Sequence, residues 1–484
     1  MKKLVSIVAL VVLAALGLWV AATFWFGVKT EESYYTLLRQ GSKVENLRLE
    51  NESYHRGFWE SKARTVLVFQ PSPAASAENP PLRIHLAHDI YHGPFPFHKS
   101  VEGVGPFEPV TAIIESRLVL NPEIRNQVAE LYTQVPELAA VRDVTIISLD
   151  GNGEERFVIP PFRRTLGRED PVVVDWKGFT LKIHFTREFK KFVGSFSAPG
   201  LEIAGENQAL KIREVRSAFN SEESLHGLSL GDASFSLAAL EFDEKKENES
   251  TSFLMKGLSA TTSARASGDT VTFLGAVRAD QMAFDGIQAG PGVFELEFRN
   301  LDAASLAQLQ KTLDELQKHP LPGPPETVQE RTLARYMEIL PGLLKRSPEL
   351  ELKQLEVKTG DGDFTGKAMI AYDGAKSGSA VNLPALLAGV SAQAEFQVGE
   401  RLLRRVSAAF MKDTLIEEME GEVEEGAGTE LDDLVSARIE QQLTALTAQD
   451  LIVKKDGYYG IKGAYKGGQI LLNGRPLQLQ ELLR

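Results

Sequence analysis

The chain has 484 residues, a formal net charge of −13 and no cysteine. An acidic balance of that size excludes a broad nucleic-acid surface, because phosphates demand concentrated Lys and Arg, and it disfavours general attachment to anionic headgroups. The absence of cysteine removes disulfides, Cys-based zinc sites and thiol catalysis, and the length suffices for two or three cores at roughly 150 residues each.

The first thirty residues carry the strongest signal. Lys2 and Lys3 precede an uncharged, mostly apolar run from Leu4 to Val28, and Lys29, Glu31 and Glu32 follow it. At 1.5 Å per residue, about 25 residues reach roughly 37 Å, enough to cross a hydrocarbon core of about 30 Å with some tilt. The basic end favours the cytoplasmic side, which predicts a single-pass anchor with the bulk of the chain exported. A cleaved signal peptide is the rival reading, with Ala21 and Ala22 at the cut, but its apolar core spans only about 7–15 residues. Trp25 and Phe26 are placed to form an interfacial belt.

Beyond the anchor a short amphipathic lead-in from Tyr34 gives way to strands. Arg64 to Gln70 is rich in β-branched and aromatic residues and stops at a linker containing Pro71, Pro73, Pro80 and Pro81. Leu82 to Tyr91 alternates, with Ile84, Leu86, His88 and Ile90 on one face and Arg83, His85, Ala87 and Asp89 on the other. From Arg117 to Asn300 short strands recur between Gly, Asn and Asp, among them Val144 to Leu149, Gly178 to Phe185, Leu228 to Phe242, Val271 to Val277 and Gly292 to Phe298. This cadence predicts a many-stranded antiparallel sheet. Phe294, Leu296 and Phe298 share one face of it and Glu295, Glu297 and Arg299 the other, which suits a sheet with one wet side.

Helical patterns begin after Asn300. Asp302 is placed to cap a helix whose Leu306, Leu309, Leu313 and Leu316 recur at three- and four-residue spacing. A second helix from about Glu326 to Leu340 would turn Val328, Leu333, Tyr336 and Leu340 inward, forming a helical hairpin against the sheet. Leu350 to Tyr372 returns to strands around a turn at Gly360 to Asp363, which lacks the terminal Glu of a calcium loop. Further helices are predicted from Glu400 to Glu420 and from Glu430 to Leu446, the latter with a stripe of Leu431, Leu434, Ile439, Leu443 and Leu446. The six glutamates from Glu417 to Glu425 read as a solvated run. The C-terminal stretch should close as a β-meander, since Asp456-Gly457 and Asn473-Gly474 supply the positive φ angles of two-residue hairpin turns.

Motifs for enzymatic chemistry are scarce. There is no Gly-x-Ser-x-Gly elbow, no Walker A loop, no Gly-x-Gly-x-x-Gly after a strand and no His-Glu-x-x-His. His85, His88, His92 and His98 supply half of all eight histidines. Strand geometry turns His88 and His92 one way and His85 the other, so a zinc site would require a bend. No cofactor or metal site is assigned.

Two segments, Tyr54, His55, Arg56, Gly57 through Ser61, and His92, Gly93, Pro94, Phe95 and Pro96, stand out together with the N-terminal run and the closing segment to Gly474. With these motifs the chain resembles the bacterial YdgA-like family of unknown function. The resemblance implies a Gram-negative protein held in the inner membrane, N-terminus cytoplasmic and body in the periplasm; it implies no activity and no catalytic residues. The residues themselves suggest a structural junction, with Gly57 and Gly93 at unusual backbone angles, Pro94 and Pro96 fixing the exit from a strand, and His55 and Arg56 bonding the turn.

These readings together predict an α+β, β-rich fold: a transmembrane anchor over 1–30, a β-rich region over 31–300, and a mixed region over 301–484. The expected function is non-enzymatic. By analogy with AsmA-like envelope proteins, one apolar sheet face bearing Phe235, Leu237, Phe294, Leu296 and Phe298 would handle lipid or another hydrophobic ligand. The alternatives are an assembly or scaffold protein that binds an envelope protein or itself through its helices, and a periplasmic enzyme with a site near His92. Partners are expected to be the membrane and a lipid, with no nucleic acid.

Overall fold

The computed structural model describes residues 2–41, 47–69, 81–96, 108–119, 133–167, 170–224, 226–245, 250–284, 287–318, 325–376, 383–418 and 428–477, with the side chains of α1 (Lys2–Gly41) described from Gly17 to Arg39. The chain divides into two units, one of 1–223 with 313–320 and one of 224–312 with 321–484.

The first unit is α1 and an antiparallel sheet. Its strands are β1 (Leu47–Arg56), β2 (Glu60–Phe69), β3 (Leu82–His92), β4 (Val110–Val119), β5 (Arg142–Ser148), β6 (Gly153–Ile159), β7 (Phe162–Leu166), β8 (Val172–Trp176), β9 (Phe179–Phe185), β10 (Lys191–Ala204) and β11 (Gln208–Glu223). They pair in the order β1-β2-β3-β4-β5-β6-β9-β10-β11, and the β7-β8 hairpin lies along the end of β10. The helix does not stop near Lys29. It runs on to Gly41 because Tyr34 and Leu38, one turn apart, find a core to enter among Ala63, Ile90 and Ala112. Among the described residues no helix is long and apolar enough to cross a membrane.

The second unit holds β12 (Ser229–Lys245), β13 (Ser250–Ser267), β14 (Thr270–Ala279), β15 (Gln281–Phe284), β16 (Ile287–Asp302), β17 (Glu349–Thr359), β18 (Phe364–Tyr372), β19 (Val390–Gly399), β20 (Val453–Lys455), β21 (Tyr458–Lys466), β22 (Gln469–Leu472) and β23 (Arg475–Leu477). Its sheet runs β12-β13, then β14 and β15 end to end, then β16-β17-β18-β19-β21-β22-β23, with β20 beside the start of β21. The meander turns at Asp456-Gly457 and Asn473-Gly474 take φ of 51° and 80°, and of 48° and 86°, the double left-handed pair that a tight hairpin requires. The β-rich α+β class is thus the observed one, with large antiparallel sheets and few helices.

The helices are α2 (Ala303–Lys318), α3 (Pro325–Leu344), α4 (Leu383–Gly389), α5 (Glu400–Glu418) and α6 (Gly428–Ala448). Their faces differ from the expected ones in two places. In α3, Leu333 is 59% exposed and Ile339 is buried instead. In α6 the inward stripe is Val435, Ile439 and Leu443, packed on Tyr459, whereas Leu434 and Leu446 face water. Leucines abound on both sides of that helix, so spacing alone could not choose between two stripes of equal period. The glutamates expected as a solvated run, from Glu417 on, have no described side chains.

Asp302 behaves as the sequence predicts. One carboxylate oxygen accepts from the Ser305 backbone N–H at 2.9 Å and the Ser305 hydroxyl at 2.7 Å, and the other meets Lys345 Nζ at 3.1 Å. Burial pushes its pKa up, but the Ser305 hydrogen bonds and Lys345 outweigh this and hold it below the usual value. Asp302→Ala should lower unfolding stability by about 2 kcal/mol, by loss of the cap and of a buried acceptor. Asp302→Asn keeps the cap geometry and should lose less; urea unfolding of the two variants at neutral pH checks the order.

Candidate functional site

The two sequence motifs meet where α1 crosses the sheet of the first unit. Along α1 the residues facing the sheet are Thr23, Gly27, Thr30, Tyr34 and Leu38, spaced by three and four. The first three are small. Thr23 and Thr30 return their hydroxyls to the backbone oxygens of Trp19 and Phe26, at 2.9 and 2.8 Å, and so present methyl groups to the sheet. Gly27 faces His92: a Cβ there would stand 2.8 Å from the imidazole.

His92 ends β3. Its backbone N–H donates to Trp59 O and its ring Nδ1–H to Phe58 O, both at 3.0 Å. Because a carbonyl can only accept, Nδ1 carries the proton, and Nε2 is left to accept from the Ser61 hydroxyl at 2.8 Å. Burial pushes the His92 pKa down, against the opposing pull of the Phe58 carbonyl, which fits a neutral ring. Gly93 follows; neither it nor Gly57 takes the positive φ expected of them, and the requirement is steric, since a Cβ on Gly93 would fall 1.7 Å from Val110 O where β3 and β4 close. Pro94 then accepts from the Val110 N–H at 2.9 Å, across a cis peptide after Gly93. Pro96 is buried and Phe95 half-buried.

The other motif forms the β1-β2 hairpin. Tyr54 packs against Tyr34 and Tyr35 of α1, and Gly57 N–H closes the turn on Glu60 O at 3.0 Å. Arg56 reaches α1 rather than the turn: it pairs with Glu31 at 2.9 Å and lies 5.6 Å from the Phe24 ring centre. His55 is exposed opposite Lys62. An open pocket of about 800 Å³ lies here, lined by Trp19, Arg56, Phe58, Trp59 and Lys62 among others. Thus Tyr54, Arg56, Gly57, His92 and Gly93 converge on one junction. The motif reading did not include Thr23, Gly27 and Thr30, whose only sequence signal is small residues at helical spacing inside the apolar run.

Ser61 and His92 have the contact of a nucleophile and its base. They are 1% and 2% exposed, so the pair is buried. His88 bonds instead to Thr65 and Ser116, each at 2.9 Å, and Thr65 bonds to the Tyr34 hydroxyl. His85 lies near Glu52, and His98 falls outside the described residues. Among the described residues no group of three His, Asp or Glu side chains is placed to hold a metal ion.

A second surface lies on the sheet of the second unit. Strand register puts Phe235, Ala260, Val277, Phe294, Leu355, Gly366, Phe396 and Ile461 in one row on one face. A second row on the same face carries Phe273, Phe298, Leu350, Ile370, Ala392 and Tyr465, and the row between the two holds Gly275, Leu296, Leu352, Ala368 and Ala394. Leu237 and Leu296 share this face. The opposite face is charged: Arg299 with Glu297, Glu349 and Glu351, Glu297 also with Lys353, and Glu395 with Lys367 and Lys462. Helices cover the apolar face at its two ends, α2 through Leu306 on Val271 and Leu301, and α5 with α6 on Val398 and Tyr459. Between them Val277, Phe294, Phe298 and Ile370 remain 41%, 40%, 37% and 49% exposed.

Residues 1–480 match the family of bacterial proteins of unknown function DUF945, and the chain belongs to it. An uncharacterized protein of Haemophilus influenzae is 23% identical over 332 residues, which span 65% of this chain and 86% of that protein. No solved structure matches the chain.

Two predictions follow from the junction. Gly27→Leu should drive side-chain atoms into the His92 ring and lower stability by about 2 kcal/mol or more, whereas Gly17→Leu, at an open position, should be neutral. Thermal unfolding of the detergent-solubilised full chain separates them. The second concerns pH. Burial, partly offset by Asp89, lowers the His88 pKa from 6.5 to about 4, so the unfolded chain binds a proton that the fold refuses, and stability is lost as pH falls from about 6.5 toward 4. Glu155 works the other way: burial and Asp143 raise it to about 7, so its contribution is lost as pH rises from 4.5 to 7. The stability difference between the natural chain and His88→Gln should therefore shrink by about 3 kcal/mol between pH 7.5 and pH 4. A difference that stays flat over that range would show that His88 titrates alike in the folded and unfolded chain, against a lowered pKa.

Proposed function

We propose that this DUF945 protein is a non-enzymatic component of the bacterial cell envelope, anchored in the inner membrane by the N-terminal part of α1 with its body in the periplasm, and that the apolar sheet face of the second unit receives a lipid or other hydrophobic ligand. The observation that carries the ligand reading is the face itself. Two rows rich in Phe, Leu, Ile and Val cross the sheet with a row of Leu, Ala and Gly between them, helices shield both ends, and four large side chains in the middle stay half exposed. A contiguous apolar surface between covered ends is what an acyl chain fits, and leaving it in water costs about 25 cal/mol for each Å². The anchor reading draws on Lys2, Lys3 and the uncharged run to Val28.

A scaffold reading has its own observation. Val406 and Phe410, one turn apart on α5, are 44% and 72% exposed, a helical stripe suited to a partner helix. An enzyme at His92 has closure against it, since among the described residues the nucleophile and base in contact there, Ser61 and His92, are both buried.

Purification of the full chain in mild detergent, followed by solvent extraction and mass spectrometry, should find bound lipid near one equivalent. The double variant Phe294→Lys with Ile370→Lys, both at half-exposed positions, should retain the fold by circular dichroism and lose at least five-fold of that lipid. Equal lipid in both proteins, or none in the natural one, would refute the ligand reading. In the same cells, loss of a crosslinked species in Phe410→Lys alone would favour the scaffold.

A further inference from the structure

The turn between β1 and β2 presents two aromatic rings where the sequence of a soluble hairpin would place polar residues. Phe58 and Trp59 are 38% and 43% exposed, with ring centres 4.6 Å apart. Gly57 makes this tip sharp, because a Cβ there would stand 2.3 Å from Glu60 O. The tip is not free to choose its level along α1. Trp59 packs on Trp19 with ring centres 4.8 Å apart, and Arg56 is tied to Phe24 and Glu31.

That level decides what the tip meets. Counted from Lys3, a hydrocarbon core of about 30 Å takes about 20 helical residues and ends near Thr23. Trp19 then lies about 6 Å inside the core boundary, four residues at 1.5 Å each. Phe24 and Trp25, both more than half exposed, stand at the boundary, and Arg56 beside Phe24 reaches the depth of the lipid phosphates with Lys62 nearby. Glu60 also borders the pocket and must remain on its headgroup side. The backbone of the tip, whose Phe58 and Trp59 carbonyls bond to His92 against Gly27, stays on the headgroup side, and the Trp59 ring reaches inward from it to Trp19 on the lipid side of the boundary, with Phe58 packed beside it.

We propose that Phe58 and Trp59 insert into the periplasmic leaflet of the bilayer beside α1, so that the protein holds the membrane at two points rather than one. This rests on the anchor reading above and adds to it the depth and the residues of a second contact. The lipid surface is the occupant because the exposed rings continue the apolar side of α1 without a break, through Trp19.

The absence of cysteine from the chain allows a clean test. Single-cysteine variants of the full chain, labelled with a polarity-sensitive fluorophore, are reconstituted into vesicles of phosphatidylethanolamine and phosphatidylglycerol containing doxyl-labelled lipid. Phe58→Cys reports the tip, and Trp59→Cys repeats the measurement if the first variant folds poorly. Leu18→Cys, on an exposed side of α1, reports the anchor, and Phe69→Cys, about 30 Å away at the far end of β2, reports solvent. The tip label should be quenched by doxyl lipid at least three-fold more than the Phe69 label and be shielded from iodide. Quenching at Leu18 with none at either tip position would overturn the proposal and leave the anchor standing. No quenching at Leu18 would overturn both.

Discussion

The close approach of α1 to the sheet at Gly27 fixes the geometry of the first unit. A helix axis can come this near a strand only where it carries no side chain, and the imidazole of His92 fills the space a Cβ would take. On either side Thr23 and Thr30 turn their hydroxyls back onto the helix, so both hydroxyls are satisfied within α1 and need no partner from the sheet. Below the seam the side chains grow to Tyr34 and Leu38, which enter the core. With Gly27 set against His92, and His92 bonded to Phe58, Trp59 and Ser61, the hairpin tip has one place along the helix. The contacts of Trp59 with Trp19 and of Arg56 with Glu31 are consequences of that register.

The second unit obeys a different constraint, the period of two along each strand. Every strand from β16 to β19 puts charge on one side and apolar groups on the other, and in-register pairing converts single alternations into continuous faces. Exposed ion pairs such as those of Lys367 and Lys462 with Glu395 add little stability individually. Their effect is to keep that face wet and to specify which side is turned to water. Stability must then come from the apolar face, yet helices cover only its ends. A sheet that needed the burial merely to fold would gain by covering the middle also, and that uncovered middle is what the proposed ligand reading rests on.

Much of this was legible before any coordinates, for local reasons. The Asp302 cap, the Asp-Gly and Asn-Gly turns and the amphipathic β16 are each decided within a few residues, by hydrogen bonding or by backbone angle, and each stands where the sequence placed it. What the sequence did not show is set by distant partners. The apolar run to Val28 reads as membrane span throughout, but Thr23 and Gly27 belong to the sheet contact, a fact that depends on His92, 65 positions away. In α6 the expected Ile439 and Leu443 are buried, but Leu434 and Leu446 lie on a rival stripe of the same period, and packing on Tyr459 selects the one that holds Val435. The left-handed Asn300 in β16 shifts the alternation so that Leu301 joins the face of Phe298, and the pairing with β17 shifts before Leu296; both depend on the neighbouring strands, so no count along one strand reveals them.

The acidity of the body bears on how it meets a membrane. With a net charge of −13, the chain gains nothing from anionic headgroups as a whole, so a second hold has to be apolar and local. Two aromatic rings and one arginine are a small contact, and fully burying a side chain of this size contributes only about 1.5–3 kcal/mol. For a free protein that would be marginal. With α1 as the proposed anchor, the proposed insertion would be intramolecular, at an effective concentration on the order of millimolar, and so small an energy would suffice to keep the tip in place. The rigid seam at Gly27 strengthens this further, since little orientational freedom remains to be lost when the rings enter.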